Sequence, residues 1–204
     1  MFRVEDKIPL NSLELLKVMT ILEKNKAKIL YPRRLISSIY FDNFHFDMFL
    51  ESEEGISPRK KIRIRTYDNS LKKILLEKKI TSPEGRYKSS EEITDLKMNF
   101  YLKNGFLEKD YGQCFPITEV VYYRDYYSFK NVRITIDSNL KFRQFSKKNF
   151  ISSDKNVMEF KPNKNDNLEI IEDLIPGRKA RFSKYVFSVL DNQLLQKRNS
   201  IFVK

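Results

Sequence analysis

The sequence predicts an α+β fold: a closed antiparallel β-barrel of about eight strands forming a basic tunnel, with helices packed outside it. Three observations predict it. Short segments rich in Ile, Val, Tyr, Phe and Thr follow one another between turn-forming residues. Within several of them charged and apolar residues alternate with period two, as in a strand with one polar and one apolar face. The charged faces carry long cations, in a chain whose 39 Lys and Arg exceed its 27 Asp and Glu by a formal +12.

The elements read in order as follows. A strand covers 2–8 and a helix 10–25, where Leu10, Leu13, Leu16, Val18, Ile21 and Leu22 recur at helical spacing behind Asn11 or Ser12 as cap. Strands cover 35–42, 59–67, 72–80, 84–90, 117–128, 130–141 and 156–161. Pro58, Asp68-Asn69-Ser70, Pro83-Glu84-Gly85 and Pro162-Asn163 bound them. Residues 93–110 are helical in part, 144–156 form a polar, lysine-rich loop, and a last amphipathic helix fits 181–195 with Phe182, Tyr185, Val186, Val189 and Leu190 on one side. With no repeat, linker or low-complexity tract, residues 1–204 read as a single domain.

The alternation sorts the charges. Arg59, Lys61, Arg63, Arg65 and Tyr67 share one face, with Ile62 and Ile64 opposite. Arg3, Glu5 and Lys7 stand against Phe2, Val4 and Ile8; Arg133, Thr135 and Asp137 against Val132, Ile134 and Ile136; Glu159 and Lys161 against Met158 and Phe160. Glu77 pairs with Lys79 and Arg86 with Lys88 in the same way. Any one of these faces reads equally well as a solvated sheet surface. For the set the balance shifts, because like charges about 6 Å apart repel by roughly 3 kcal/mol at an effective dielectric of 20. Concave clustering of so many cations calls for a polyanion, and closing the sheet removes its exposed edges.

Other classes fall away. No apolar run reaches the length of a membrane span, and the charged start carries no leader-like segment, so a cytoplasmic protein is expected. One cysteine, Cys114, and one histidine, His45, make neither a disulfide nor a Cys/His zinc site. No G-x-x-x-x-G-K-[ST] loop cradles phosphate. Nucleic acid is disfavoured, since the cations alternate on strands instead of forming an outward helix stripe.

Seven fragments, in order, resemble the VTC (vacuolar transporter chaperone) polyphosphate-polymerase domain of the triphosphate tunnel metalloenzyme, or CYTH-like, superfamily. Arg3-Val4-Glu5-Asp6-Lys7 is similar to its R-x-E-x-K strand and Ser38-Ile39-Tyr40-Phe41-Asp42 to its S-x-Y-F-D strand. Lys61 to Tyr67 resembles R-x-R-x-Y, and Leu76-Glu77-Lys78-Lys79 resembles L-E-x-K. Tyr123-Arg124 with Arg133-Ile134-Thr135-Ile136-Asp137 resembles the Y-x-R and R-x-T-x-D pair, followed by Glu159-Phe160-Lys161 and Phe182-Ser183-Lys184-Tyr185. The resemblance implies that ATP's triphosphate lies along catalytic Lys7, Arg63, Arg65, Lys79, Arg133 and Lys184. Arg3, Lys88, Arg124 and Lys161 would add substrate contacts. Glu159, with Glu5, would hold Mn²⁺ or Mg²⁺. Where relatives carry two more basic residues after the position of Lys88, this chain has Ser89 and Ser90.

The expected function is therefore metal-dependent polyphosphate polymerisation, with the terminal phosphoryl of ATP passing to a growing phosphate chain. A triphosphatase on the same scaffold, or a non-catalytic module binding polyphosphate or nucleotide beside a membrane-protein partner, is the alternative. Phosphoryl transfer asks mainly for positioning and charge neutralisation. Arg63 and Arg65 suit bidentate binding of phosphate oxygens, while lysines supply point charges. Glu5 and Glu77 are candidates for orienting lysines or holding a second metal. Arg133 with Asp137, and Glu159 with Lys161, also read as purely structural pairs.

Overall fold

A computed structural model describes residues 6–161 and 178–192. Ten strands and four helices occur among them: β1 (Asp6–Leu10), α1 (Ser12–Lys24), β2 (Lys28–Asn43), α2 (Asp47–Glu54), β3 (Arg59–Tyr67), β4 (Ser70–Ser82), β5 (Gly85–Ile93), α3 (Asp95–Asn104), β6 (Phe106–Glu108), β7 (Gly112–Phe129), β8 (Val132–Gln144), β9 (Ile151–Ser152), β10 (Asn156–Lys161) and α4 (Lys184–Asp191). The fold is α+β, and the ladders whose registers are defined are antiparallel.

The strand order is β1-β10-β8-β7-β2-β3-β4-β5, with β6 on β7 and β9 on β8. The path begins at β1 and ends at β5, and no ladder joins these two among the described residues. Closure of the sheet is therefore not found among the described residues. From Arg86 to Glu92 the side chains of β5 are exposed and mostly charged or hydroxylated, chemistry that protects an edge.

The chain divides into two compact units, one of Met1–Leu35, Tyr122–Leu140 and Ser152–Phe182, the other of Ile36–Val121, Lys141–Ile151 and Ser183–Lys204. In the first unit, Lys7 stands opposite Glu159 and Glu159 opposite Thr135, so β1, β10 and β8 share one polar face. The other face carries Ile8, Leu10, Met158, Phe160, Ile134 and Ile136, which form a core with Val18 and Leu22 of α1. Burying each such side chain contributes about 1.5–3 kcal/mol. Helix α1 starts where its sequence dictates. The Asn11 side chain accepts from the Glu14 N–H while the Glu14 carboxylate accepts from the Asn11 N–H, a reciprocal cap.

In the second unit, Asp68 and Asn69 take left-handed backbone at φ 52° and 53°, making the tight turn that sets the β3–β4 register. Helix α2 has no local side-chain cap. Its first N–H, that of Asp47, donates to Asn43 Oδ1 at 3.1 Å, and the next two go to buried Asp42, whose carboxylate accepts from Met48 and Phe49 at 3.1 and 2.9 Å and from the Tyr185 hydroxyl at 2.6 Å. Tyr185 stacks on Tyr40, with ring centres 5.2 Å apart. This seats α4 beside the strand that carries Tyr40.

Candidate functional site

Strand β3 places Lys61, Arg63 and Arg65 on one face because their positions alternate with buried Ile62 and Ile64. Antiparallel pairing then decides what stands beside each. Lys61, Lys79 and Lys88 form one row across β3, β4 and β5, and the next row is Tyr40, Arg63, Glu77 and Ser90. Glu77 is only 2% exposed and lies at the centre of the charge. Its carboxylate accepts from Arg63 Nε at 2.7 Å and from Lys88 Nζ, and Arg65 lies 3.5 Å away. Burial alone would push this carboxyl up; the Arg63 and Arg65 guanidiniums and the Lys88 ammonium outweigh it and hold it at about 2. Arg63 also donates to the Tyr40 hydroxyl at 3.0 Å. Burial opposes ionisation of Tyr40 too, yet the charges of Arg63, Arg65 and Lys184 bring its pKa below the usual phenol value. Lys61 donates to the Ser183 hydroxyl at 3.0 Å, and the same hydroxyl caps α4 by accepting from the Val186 N–H. Among the described residues Glu77 thus gathers Arg63, Arg65 and Lys88 on a face to which β2, β3, β4 and β5 contribute.

The polar face of the first unit is balanced differently. The Arg124 side chain is 11% exposed, and its fork grips Asp137 through Nε at 2.5 Å and Nη2 at 2.7 Å, with Glu159 3.7 Å away. Burial disfavours its charge, but Asp137 and Glu159 hold its pKa well above the ordinary value. Lys161 lies 3.6 Å from Glu159 and pairs in register with Arg133. Lys7 donates to the Phe182 carbonyl at 3.0 Å, while Ala180 N–H donates to the Lys7 carbonyl. The Asp137 carboxylate therefore belongs to Arg124, and the expected Arg133–Asp137 cross-strand pair is corrected. Both residues lie on β8, four positions apart, a separation of about 13 Å along an extended strand.

Among the described residues no three carboxylate, His or Cys side chains group as a ready-made metal cage. Glu159 is 7% exposed, and Thr135, opposite it in register, is 1% exposed with a hydroxyl oxygen that has no hydrogen-bond partner among the described residues. A buried orphan oxygen beside a buried carboxylate fits a hard cation or its water, since Mg²⁺ and Mn²⁺ bind through one or two protein oxygens plus phosphates and water. Glu5 and Arg3 lie outside the described residues.

The expected site residues therefore fall into two groups. Arg63, Arg65, Lys79 and Lys88 stand on the face of the second unit, with Lys184 near enough to act on Tyr40. Lys7, Arg124, Arg133, Lys161 and Glu159 stand on that of the first. Glu77, a candidate for orienting lysines or holding a second metal, accepts from Arg63 and Lys88. Sequence reasoning missed the parts played by Tyr40, Thr135 and Ser183. Each alternates onto the correct face or opens a helix, which is the signal that marks them, but hydroxyl residues on a strand carry no charge pattern. A third cluster lies on the reverse face of β3 and β4, where Glu108 accepts from Lys60 and Lys78, both at 2.6 Å, and Asp110 accepts from Lys60 at 2.7 Å. Its charges are matched, and it ties β6 to the sheet.

Solved structures share this fold at low sequence identity. A protein from Bacillus halodurans described as a candidate adenylate cyclase aligns with TM-score 0.61 and 12% identity, over 88% of this chain and 93% of that one. A candidate adenylyl cyclase from Hippeastrum, described as having a dominant triphosphatase activity, aligns at 0.58 and 15%, over 93% and 96%. A protein from Pyrococcus horikoshii aligns at 0.57 and 14%, over 92% and 99%. No curated protein sequence matches the chain. The family model described as VTC domain matches residues 3–113 and 104–191.

Proposed function

The chain belongs to the VTC domain family, and from that premise we propose that it is a metal-dependent polyphosphate polymerase that takes the terminal phosphoryl group from ATP. The observation that carries the reading is the single buried carboxylate of Glu77 ringed by Arg63, Arg65 and Lys88. Guanidinium and ammonium groups oriented in this way match the oxygens of a phosphate chain. Arg63 and Arg65 would engage phosphate oxygens through their guanidiniums, with Lys79, Lys88 and Lys184 as point charges. In the first unit Lys7, Arg133 and Lys161 neutralise further phosphate charge, and Arg124 fixes the carboxylates around it. Glu159 and the Thr135 hydroxyl would hold Mn²⁺ or Mg²⁺, which when bound neutralises charge on the phosphates.

In the transfer, a terminal oxygen of the acceptor chain forms a bond to the γ-phosphorus, the bond to the β–γ bridging oxygen breaks, and ADP leaves with that electron pair. Hydrolysis is the second reading. Water replaces the acceptor and free phosphate is released, as the description of the Hippeastrum neighbour suggests for that protein. Among the described residues no helix is long and apolar enough to cross a membrane.

Purified protein incubated with ATP, Mn²⁺ or Mg²⁺ and a pyrophosphate primer tests the proposal, with ADP, free phosphate and chain polyphosphate quantified together. ADP matched by growing chains supports polymerisation, and ADP matched by free phosphate makes the protein a triphosphatase. If ATP is bound but never consumed, the chain is a binding module.

A further inference from the structure

We propose that Tyr31 is a stacking platform for the nucleobase of a nucleoside triphosphate, an inference that deepens the proposed function and rests on it. Tyr31 sits in the first half of β2, where the strand is exposed from Lys28 through Arg33, and is itself 47% exposed. The ring is nonetheless held in place. It stands edge-on to Tyr126, with centroids 5.5 Å apart and planes at 86°, and Tyr126 is itself only 6% exposed. The guanidinium of Arg133 lies 6.0 Å from the Tyr31 ring and 5.6 Å from that of Tyr126, and Arg34 lies 5.7 Å from Tyr31. These separations are near the outer limit of cation–π contact, where an exposed pair is worth about 0.5–1 kcal/mol. They orient the ring without covering it.

Arg133 connects the Tyr31 ring to a graded surface within the same unit. Thr135 stands opposite Glu159, and two residues back along β8 Arg133 stands opposite Lys161. Two strand residues span about 7 Å. Moving along this face, a carboxylate and an orphan hydroxyl give way to two cations, and these give way to an aromatic ring. The chemistry follows the order of a nucleotide: metal-bound phosphates, further phosphate or ribose oxygens, then base. Stacking is tolerant of base identity because every base has a π-face, so the platform selects nucleoside triphosphates over inorganic chains without reading adenine.

Calorimetric titration of the full chain with ATP and with inorganic tripolyphosphate, both with Mg²⁺, tests this on Tyr31→Ala and Tyr31→Phe. Loss of a stacked base by alanine substitution costs about 1–3 kcal/mol, so Y31A should weaken ATP binding roughly 5- to 150-fold. Its tripolyphosphate affinity should stay within about twofold, and Y31F should bind both ligands like the parent. Unchanged ATP binding by Y31A, or equal losses for the two ligands, overturns the platform and leaves the phosphate-binding reading intact. A parent protein that binds neither ligand overturns both.

Discussion

The two polar faces are built on the same alternation yet solve opposite electrostatic problems. In the second unit one buried carboxylate, Glu77, is shared by Arg63, Arg65 and Lys88. In the first unit two buried carboxylates, Asp137 and Glu159, surround one guanidinium, that of Arg124. The difference teaches how a basic chain can carry two kinds of anion chemistry. Under the proposed function, the Arg63 and Arg65 guanidiniums serve phosphate, while the Glu159 carboxylate beside Arg124 serves a divalent metal. Net charge over the whole chain hides this division.

The sharpest break in the comparison is Glu159→Gln. It removes the metal-facing charge but leaves the second unit untouched, so ATP turnover should fall by at least 100-fold in a steady-state assay, and added Mn²⁺ should not restore it. Activity close to that of the parent would sink the metal assignment.

Arg124→Ala should be the most destabilising change. It strands Asp137, which is 1% exposed, and removes a neighbour of Glu159. Breaking a buried pair by deleting one partner costs roughly 3–5 kcal/mol, readable by urea unfolding. A loss below about 1 kcal/mol would show that the Arg124–Asp137 fork contributes little.

Acid sharpens the contrast between two buried carboxylates of the second unit. Glu77 is held at about 2, below its ordinary 4.5, so its stabilisation is complete above pH 4.5 and is lost as pH falls toward 2. Asp42 runs the other way. Burial dominates over its hydrogen bonds from Tyr185, Met48, Phe49 and Asn43 and raises it from 3.8 to about 6. Its contribution is full below pH 3.8 and declines as pH rises through 6. Each effect is on the order of 3 kcal/mol. Denaturation at pH 7, 5 and 3 should show the gap between the parent and Glu77→Gln closing as pH drops. The stability of the parent relative to Asp42→Asn should rise between pH 7 and 4. Parallel curves for either variant would contradict the corresponding assignment.

Lys88→Ala should have the smallest effect. Its side chain is 52% exposed, and exposed ion pairs contribute about 0–1 kcal/mol. Tripolyphosphate affinity should fall only two- to fivefold, while a loss above 30-fold would make Lys88 a principal ligand.

Much of this arrangement is legible in the sequence, and the failures have physical causes. Alternation placed Arg63 and Arg65 on one face of β3, and Glu159 with Lys161 on one face of β10, because period two fixes the face of every side chain on a strand. It does not fix partners across strands. The pairing of Asp137 with Arg124 depends on the β7–β8 hairpin and could not be read from the charge pattern of β8 alone. The exposed half of β2 escaped the reading because Lys28, Pro32, Arg33 and Arg34 break the alternation. Helix α2 escaped because its first N–H groups are satisfied by Asn43 and by Asp42, five residues before the helix begins, and not by a local cap. Closure was inferred from the need to bury edges, and the charged, exposed β5 meets that need without pairing to β1 among the described residues.

The central claim is the proposal that Arg63 binds phosphate directly, whereas Glu159 serves the metal and not the phosphate. Metal-free titration of tripolyphosphate into Arg63→Ala and Glu159→Gln side by side tests it most directly. The account predicts that R63A loses affinity by roughly 30-fold or more, the worth of about 2 kcal/mol for a charged hydrogen-bonding partner, while E159Q binds as tightly as the parent or tighter. Full affinity in R63A together with lost affinity in E159Q would contradict it.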